Sequence, residues 1–413
     1  MHEPRLDPTT YDRAERSPAG EADLFSIVCL SSQPWDSPLP TNRQQIMARA
    51  ARRGHRVLFV ETGGFLGKHL WRLVRGPGRT RTARKLASGV DVAAGIRAVQ
   101  LLNPLPYSQR SSWCNRLNWR LGSLLLRRQA AFLPEPRVLW IYDPRGAGAI
   151  DLLDESFAVY DCVDDYPHQA GPSARARTLV AALDRAAAAG SRLVFATTPS
   201  LLERHERTGG GTHLVPNVGD FDHFAQAADR RHARAALRAL PRPVLGFAGN
   251  LVESKVDFTL LEKVAEAFGR ATILLAGPAE GSARRRVLNL SAAANVTWLG
   301  LQPYETIPEV IAAFDVALIP YALNDYTRNV FPLKAFEYLA AGKPVVASGL
   351  PNIAGLEPHV VLARDHDAFL AAVQAAVDTG TAGAEERIAV AARNTWEDRT
   401  GRLLDLVRDE LGR

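Results

Sequence analysis

A lysine and a glutamate stand three residues apart in the segment FPLKAFEY, residues 331–338. Pro332 suits the first turn of a helix, so Lys334 and Glu337 are predicted to lie on one face of adjacent turns. An ammonium group at a helix start favours phosphate oxygens, and a carboxylate one turn deeper can accept hydrogen bonds from the vicinal hydroxyls of a ribose. The pair therefore predicts a nucleotide clamp. The alternative is an exposed ion pair that contributes only about a few tenths of a kcal/mol.

Lysine is rare in this chain, which has six lysines and 44 arginines. Two of the six, Lys255 and Lys334, each follow the end of a predicted strand. Where arginine serves almost everywhere else, a retained lysine indicates a site that needs a compact ammonium group. Small residues and Asn250 end the first of these strands, so a phosphate could approach the backbone and Lys255 together.

Acidic residues and a histidine follow another predicted strand, in the segment VYDCVDDYPHQAG, residues 159–171. Here Asp161, Asp164, Asp165 and His168 lie just beyond the strand end. A carboxylate in a partly dry cleft suits a general base that takes a proton from an attacking hydroxyl. The alternative is that these groups cap the next helix and pair with arginines. No ligand pattern accompanies the tandem aspartates, so no metal is expected there.

The first predicted strand ends in a loop with further candidates, SSQPWDSPLPTNRQQ, residues 31–45. Thr41 and Gln44 fit a capping box that opens a helix. Trp35 and Asp36 are candidate contacts for an acceptor or a donor sugar, since an aromatic face stacks on a sugar and a carboxylate binds its hydroxyls. Trp35 could equally belong to the core, which is the commoner fate of a tryptophan.

Short apolar runs alternate with helical stretches along the chain, a pattern typical of parallel sheets covered on both faces. The pattern breaks near residue 217 and then starts again, which predicts two doubly wound domains. Ligands bind beyond the carboxyl ends of such strands, and two of those ends are expected to face one another across a cleft that closes during catalysis. The predicted strands are 24–32, 56–61, 138–143, 157–163, 193–198, 244–250, 272–278, 296–300, 316–321, 344–349 and 360–363.

The expected domain organisation has five parts. They are a disordered tail (1–22), an N-terminal acceptor-binding domain (23–216), a linker (217–242), a C-terminal nucleotide-sugar-binding domain (243–395) and a C-terminal helix (396–413). Apolar residues recur along the last segment at helical spacing. We expect this helix to pack back across the domain boundary.

Composition limits the functional class. The chain has 413 residues, of which 46% are hydrophobic, and no apolar run approaches the roughly twenty residues of a membrane span. The polar N-terminus does not fit a signal peptide, and the three cysteines lie far apart without zinc-ligand spacing. A cytoplasmic protein without structural zinc is therefore expected.

The net charge is +6, and basic residues concentrate at 68–85 and 110–128, where arginines alternate with tryptophan and leucine. This composition is typical of a segment that lies on an anionic lipid surface, at the inner face of the plasma membrane. The alternative for each segment is a solvated amphipathic helix packed on its own domain. Nucleic acid is not an expected partner, because no recognised binding module accompanies the charge.

Several of these segments resemble the GT-B fold glycosyltransferases of group 1, which are family 4-like. Their pattern GRL…K resembles GNLVESK (249–255), and their lEAxAxGxPVva resembles FEYLAAGKPVVAS (336–348). The resemblance covers residues 244–365 well and the N-terminal half only in outline. The loop before FPLKAFEY looks more like that of transferases in cell-surface polysaccharide pathways, some of which invert stereochemistry.

The resemblance implies roles for residues of the donor site. Lys255 and Lys334 would bind the donor diphosphate, Glu337 the ribose, and Leu301 and Gln302 would flank the base. Two positions depart from the family pattern. Asn250 stands where many members have an arginine on the diphosphate, and Asn329 stands where retaining members have the first glutamate of their Glu, seven residues, Glu motif. The transferred sugar and the stereochemical course therefore stay open.

The resemblance also orders the candidates of the N-terminal half. Position resemblance to inverting members favours Asp164 as the base, with Asp161 next and His168 as a retaining-type contact. The implied activity is transfer of a sugar, such as that of a UDP-sugar, to a glycan, lipid-linked or small-molecule acceptor without a metal or another cofactor. The alternatives are a nucleotide-sugar epimerase or hydrolase of the same fold, or a non-catalytic nucleotide-binding or membrane-scaffold protein.

Overall fold

The computed structural model describes residues 23–63, 79–101, 103–105, 111–169, 173–206 and 211–413. These residues form two units. The N-terminal unit holds the described residues of 23–216 together with Thr400–Arg413, and the C-terminal unit is Asn217–Arg399. The expected tail, 1–22, lies outside the described residues. The expected linker, 217–242, contains two short helices and belongs to the C-terminal unit.

The described part of the N-terminal unit contains an eight-stranded sheet with the order β3-β4-β2-β1-β5-β6-β7-β8. All neighbouring pairs of this sheet are parallel except β3 and β4, which form an antiparallel edge that the sequence pattern did not predict. Strand β8 was also missed. The strands are Ser26–Ser31 (β1), Arg56–Glu61 (β2), Val90–Ala93 (β3), Ile96–Gln100 (β4), Arg137–Ile141 (β5), Phe157–Cys162 (β6), Leu193–Ala196 (β7) and Gly211–Leu214 (β8).

The C-terminal unit contains a six-stranded, wholly parallel sheet with the order β11-β10-β9-β12-β13-β14. Its central strands are buried along their whole length, which explains their continuous apolar sequences. Each of its strands lies within or beside a predicted run. They are Val244–Ala248 (β9), Thr272–Ala276 (β10), Val296–Trp298 (β11), Val316–Ile319 (β12), Val345–Ser348 (β13) and Val360–Ala363 (β14).

Helices connect the strands in both units, as expected for doubly wound sheets. The N-terminal unit has Asn42–Arg52 (α1), Arg79–Ala87 (α2), Ser112–Ala130 (α3), Tyr166–Gln169 (α4), Ala174–Gly190 (α5) and Pro199–Glu206 (α6). The C-terminal unit has Phe221–Ala225 (α7), Ala235–Arg238 (α8), Phe258–Ala267 (α9), Gly281–Leu290 (α10), Ile307–Ile311 (α11), Lys334–Ala340 (α12), His366–Thr379 (α13) and Ala384–Ala392 (α14).

The last helix, Trp396–Leu411 (α15), begins in the C-terminal unit, and its residues from Thr400 onward belong to the N-terminal unit. The expected C-terminal helix is therefore confirmed as an element that passes from one unit to the other. None of the helices in the described residues is both long and apolar enough to span a bilayer.

The capping box predicted before α1 is present, because the Thr41 N–H donates to Gln44 Oε1 over 3.0 Å. It fixes the start of the helix that follows the first strand.

The core of the C-terminal unit is closely packed around the glycine in the middle of strand β9. A Cβ atom at Gly246 would lie 2.1 Å from two ring carbons of Phe314. The Phe314 side chain is buried and packs edge-on against Tyr338, with ring centroids 6.1 Å apart. The sheet therefore requires glycine at this position so that a large aromatic residue can cover it.

We predict that Gly246→Ala destabilises the C-terminal unit by about 1–3 kcal/mol, because the added methyl group must displace Phe314 from a filled core. This corresponds to a fall of several degrees in the unfolding midpoint, measured by calorimetry. Gly269→Ala is the matched control, since its Cβ would approach nothing closer than a carbonyl oxygen at 3.8 Å. Equal midpoints for Gly246→Ala and wild type would contradict the packing argument.

Candidate functional site

The seven-residue helix α12 exposes only the two side chains with candidate chemistry. Ala335, Phe336, Tyr338, Leu339 and Ala340 are buried, whereas Lys334 and Glu337 are half-buried. The predicted spacing of three residues therefore does place the lysine and the glutamate on one face. The helix has only seven residues, so any attraction of an anion here would depend on the ammonium group of Lys334 rather than on the helix dipole.

Helix α12 is held against the carboxyl end of β9. The Tyr338 hydroxyl accepts a hydrogen bond of 2.9 Å from the Ala248 backbone N–H. Burial raises the pKa of Tyr338 well above its usual range, so the hydroxyl is neutral. On another side of the helix, a Cβ at Gly219 would lie 2.8 Å from Phe336 Cβ, which shows how closely the two backbones approach. These contacts fix the position of Lys334 relative to the sheet.

Lys334 lies directly over the first residue after β9. A Cβ at Gly249 would be 2.1 Å from Lys334 Cε and 2.9 Å from its Nζ. The same ammonium group lies 5.9 Å from the centroid of the Phe247 ring and 3.7 Å from Glu337 Oε2. The ion pair is thus longer than a hydrogen bond. Lys334 is positioned at the carboxyl edge of the sheet, where ligands of parallel sheets bind.

A second lysine lies at the same edge, in the loop between β9 and α9. Lys255 Nζ lies 5.4 Å from the centroid of the Tyr326 ring. Within the described residues no carboxylate forms an ion pair with it. Its ammonium group is therefore available to an anion from outside the protein.

The other predicted donor residues lie in three loops at this edge. Asn250 is exposed directly after Gly249, and Leu301 is exposed beyond β11. The Gln302 side chain donates to the Leu299 carbonyl over 2.8 Å and accepts from Arg234 over 2.9 Å, so its polar atoms are engaged in the loop. Asn329 is half-buried and donates to the Asp325 carbonyl over 3.2 Å.

In the N-terminal unit, the acidic residues after β6 lie in different environments. Asp161 is fully buried within the strand and accepts a hydrogen bond of 3.4 Å from the Trp140 indole N–H. Asp164 is half-buried beyond the strand end, and none of the described residues forms a hydrogen bond or ion pair with its carboxylate. Of the two, Asp164 is the one whose carboxylate remains accessible.

The next residue, Asp165, pairs with an arginine, as the alternative interpretation of this segment predicts. Its buried carboxylate accepts two hydrogen bonds from Arg204, of 3.0 and 2.9 Å, and lies 2.8 Å from His168 Nδ1. Burial alone would raise the pKa of Asp165. The Arg204 guanidinium outweighs this effect and holds the pKa of Asp165 below its usual range. An ionised Asp165 therefore orients the exposed His168 ring with Nε2 directed away from the carboxylate. Arg204 is 39 residues away in sequence, so no local pattern marks it.

The loop after β1 is fixed by a buried ion pair. Lys85 Nζ lies 2.6 Å from Glu61 Oε1 and 3.5 Å from Asp36 Oδ1. The same glutamate oxygen accepts a hydrogen bond of 3.0 Å from the Trp35 N–H. Trp35 is half-buried with its ring edge-on to Phe59, and Asp36 is exposed. Both candidates thus lie in a loop whose backbone is held at the carboxyl end of β2.

Among the described residues, one group of side chains has the composition of a metal site. Cys162, Asp184 and His205 are buried in the N-terminal unit, and one ligand atom of each lies within 4.8 Å of the others. Tyr160 donates to Asp184 over 2.5 Å, and burial raises the pKa of Asp184. The cluster is therefore satisfied in part by a phenol, and the expectation that the protein uses no metal stays a prediction.

The structure thus gathers the predicted residues into two groups. Lys255, Lys334 and Glu337 lie at the carboxyl edge of the C-terminal sheet, together with the loops of Asn250, Leu301, Gln302 and Asn329. Trp35, Asp36, Asp164 and His168 lie in loops at the carboxyl edge of the N-terminal sheet, and Asp161 lies inside its strand.

Comparison with known proteins gives one family and one close relative. Residues 242–379 match the family described as glycosyl transferases group 1. A Bacillus subtilis (strain 168) protein named as a teichuronic acid biosynthesis glycosyltransferase, TuaH, is 34% identical over 152 residues. That alignment covers 36% of this chain and 37% of the relative, so it spans little more than a third of either protein.

Solved structures resemble the chain over nearly its whole length. Sucrose-phosphate synthase from Thermosynechococcus elongatus matches with a TM-score of 0.70 and 18% identity, covering 94% of this chain and 99% of that one. Anabaena HepE in complex with UDP and glucose matches with a TM-score of 0.63 and 16% identity, covering 92% of this chain and 98% of that one. A UDP-forming trehalose-phosphate synthase from Burkholderia vietnamiensis matches with a TM-score of 0.66 and 14% identity, covering 92% of this chain and 96% of that one.

At these identities the solved structures establish the fold, and the family match concerns the C-terminal unit. The chain has the GT-B fold, and its residues 242–379 match the model of the group 1 glycosyl transferases.

Proposed function

We propose that this protein transfers a sugar from a nucleoside diphosphate sugar to a hydroxyl group of a glycan, a lipid-linked saccharide or a small-molecule acceptor. The observation that carries the proposal is the burial pattern of α12, in which only Lys334 and Glu337 leave the core. They do so at the sheet edge where parallel sheets bind ligands. The family match over residues 242–379 supports the same activity.

In this proposal Lys334 and Lys255 bind the donor diphosphate. Both ammonium groups lie at the carboxyl edge, and the absence of a side chain at Gly249 lets Lys334 lie against the backbone there. Cations at this position stabilise the negative charge that develops on the leaving diphosphate. No resident metal is required for that step.

Glu337 is proposed to bind the ribose hydroxyls, and Leu301 to lie against the base. A solved neighbour of the same fold is a complex with UDP and glucose, and another is a UDP-forming synthase. These neighbours support a uridine nucleotide as the donor of this protein.

Asp164 is the proposed general base for an inverting reaction. Its carboxylate is half-buried and lacks a partner among the described residues, whereas Asp161 is enclosed in the strand. His168, oriented by Asp165, is proposed to contact the sugar. Trp35 and Asp36 are proposed acceptor contacts, because the Glu61 and Lys85 pair holds their loop in place.

The exposed face of α3 is proposed to bind an anionic membrane surface. This helix exposes the apolar side chains of Trp113 and Leu124, whereas its buried face mixes Trp119 and Leu126 with polar residues such as Asn118. Arg116, Arg120, Arg127 and Arg128 lie on its exposed side, and the helix contains no acidic residue. An apolar stripe flanked by arginines is complementary to anionic lipid.

The second basic segment, 68–85, lies largely outside the described residues. Its last residue, Lys85, is buried against Glu61 and does not reach a surface. The membrane proposal therefore depends on α3 alone.

We predict that Lys334→Met and Glu337→Gln each weaken UDP binding by about 1.5–3 kcal/mol, because each removes a charge-assisted hydrogen bond while keeping the side-chain shape. Glu337→Gln should leave pyrophosphate affinity unchanged, because the ribose is absent from that ligand. Titration calorimetry measures both affinities. The exposed Lys263→Met and Glu266→Gln on α9 are matched controls. UDP affinity equal to wild type in both site variants would show that the pair is only an ion pair.

The activity is tested by nucleoside diphosphate release from a panel of nucleotide sugars, with and without acceptors. We predict that release depends on acceptor, and that Asp164→Asn lowers kcat by about 10²–10⁴ while UDP affinity is kept, since the base acts only on the acceptor proton. Asp154→Asn, at an exposed carboxylate of the same unit, is the control.

Each other outcome of this assay has a defined meaning. Equal rates of nucleoside diphosphate release with and without acceptor would favour a hydrolase or epimerase. Nucleotide binding without any release would favour a non-catalytic protein. Full activity of Asp164→Asn would show that another group takes the proton of the acceptor hydroxyl, or that the reaction retains the anomeric configuration.

For the membrane surface, we predict cosedimentation with vesicles containing anionic phosphatidylglycerol at low salt, and little with neutral vesicles. Arg116→Gln with Arg120→Gln should weaken binding by about 2 kcal/mol, at about 1 kcal/mol for each charge removed. Trp113→Ser with Leu124→Ser should weaken it as well, whereas Leu288→Ser, exposed in the C-terminal unit, should not. Equal partition of wild type and both double variants would reject a membrane surface in favour of a protein partner.

A further inference from the structure

The C-terminal unit has a cavity at the amino edge of its sheet, opposite the carboxyl edge that holds the candidate donor residues. The cavity measures about 480 Å³, within the range of small-molecule sites. It lies at the amino ends of three strands, because Val244 starts β9, Asp315 precedes β12 and Lys343 precedes β13. The intervening strands are four or five residues long, so roughly 15 Å of sheet separates this cavity from the carboxyl edge.

The cavity is lined by an excess of cations. Arg230, Arg242 and Lys343 face a single carboxylate, that of Asp315, which leaves a net charge of three minus one, +2. The half-buried Val377 and Ile388 form an apolar wall beside them.

The single carboxylate is already fully engaged. Asp315 accepts hydrogen bonds from the Val244 N–H over 2.8 Å, from Arg242 Nε over 3.0 Å and from Arg230 Nη1 over 3.4 Å. It therefore neutralises one guanidinium and has little capacity left for the other cations.

Two cationic donors remain with little or no compensation. Arg230 Nη2 is buried and has no hydrogen-bond partner in the described part of the chain. Lys343 is buried, and its ammonium group donates to the Ala312 carbonyl over 3.2 Å. A buried cation without an anion partner costs free energy, which a bound oxyanion would offset.

The ammonium group of Lys343 reflects this cost. Burial lowers the pKa of Lys343 to about 8. The charges of Arg230 and Arg242 lower this pKa further, whereas those of Asp315 and Asp229 oppose the shift. Lys343 is still mainly protonated at pH 7, so it can bind an anion there.

We propose that this cavity is a binding site for a small organic phosphate, with the phosphate group on Arg230 and Lys343 and its organic part against Val377 and Ile388. A phosphate monoester carries a charge near −2, which matches the +2 of the lining. Guanidinium and ammonium groups are the side chains that bind phosphate oxygens best. The site is separate from the proposed donor site and does not depend on it.

Titration calorimetry at pH 7 with inorganic phosphate and with phenyl phosphate tests the site. We expect both to bind and phenyl phosphate to bind more tightly, because its ring covers the apolar wall. Lys343→Met and Arg230→Gln should each weaken binding at least about tenfold. Arg231→Gln is the matched control, since Arg231 is the exposed neighbour paired with Asp229. Lys334→Met is measured as well, because it reports on the donor edge, where phosphate oxygens are also proposed to bind.

A second readout follows ligand binding in the wild-type protein, and a variant serves only to assign one signal. The six lysines allow ¹³Cε-lysine spectra in which the Lys343 signal is assigned by its loss in Lys343→Met. Phenyl phosphate should raise the pKa of Lys343 and shift its signal. Absence of binding at 10 mM, a Lys343 signal that does not respond, or binding lost in Lys334→Met and kept in Lys343→Met would each overturn the proposal.

Discussion

The candidate donor site depends on the close approach of α12 to the end of strand β9. Lys334 Cε occupies the space where a side chain at position 249 would begin, so only glycine permits the contact. Gly277 packs against the same residue from β10, since a Cβ there would lie 1.9 Å from the Gly249 carbonyl oxygen. The Tyr338 hydroxyl then ties the helix to Ala248. A backbone crossing of this kind places a cation at the sheet edge with little freedom to move away.

The ammonium group of Lys334 has one carboxylate and one aromatic ring as its neighbours, and neither is within hydrogen-bond distance. Its nearest carboxylate, on Glu337, lies at 3.7 Å, and its other neighbour is the face of the Phe247 ring. A cation over an aromatic ring is attracted by the ring quadrupole but gains no hydrogen bond from it. An incoming phosphate would supply the hydrogen bonds that both neighbours leave unmade. The Glu337 carboxylate could then accept hydrogen bonds from hydroxyl groups, because the neighbouring Lys334 ammonium group does not occupy its oxygens.

Much of this arrangement follows from local sequence patterns, and the rest does not. Buried parallel strands and a short helix with one polar face have local signals, which is why the C-terminal strands and the pair of Lys334 and Glu337 could be predicted. Strands β3 and β4 lack such a signal, because they are only four and five residues long and Asp91 and Arg97 interrupt their apolar residues. The contact of Asp165 with Arg204 and the contact of Glu61 with Lys85 join residues far apart in sequence. Such partners become visible only when the sheet brings its loops together.

The two amides at the carboxyl edge of the C-terminal sheet bear on the proposed donor site. The resemblance to the group 1 transferases implies a cation where Asn250 stands and an anion where Asn329 stands, so the two differences from that pattern cancel in net charge. Asn329 is half-buried and donates to the Asp325 carbonyl, whereas Asn250 is exposed. Neither amide offers a charge to a phosphate group, so a bound diphosphate would depend on Lys255 and Lys334. That dependence would account for two lysines at one edge of a sheet in a chain that has 44 arginines and six lysines.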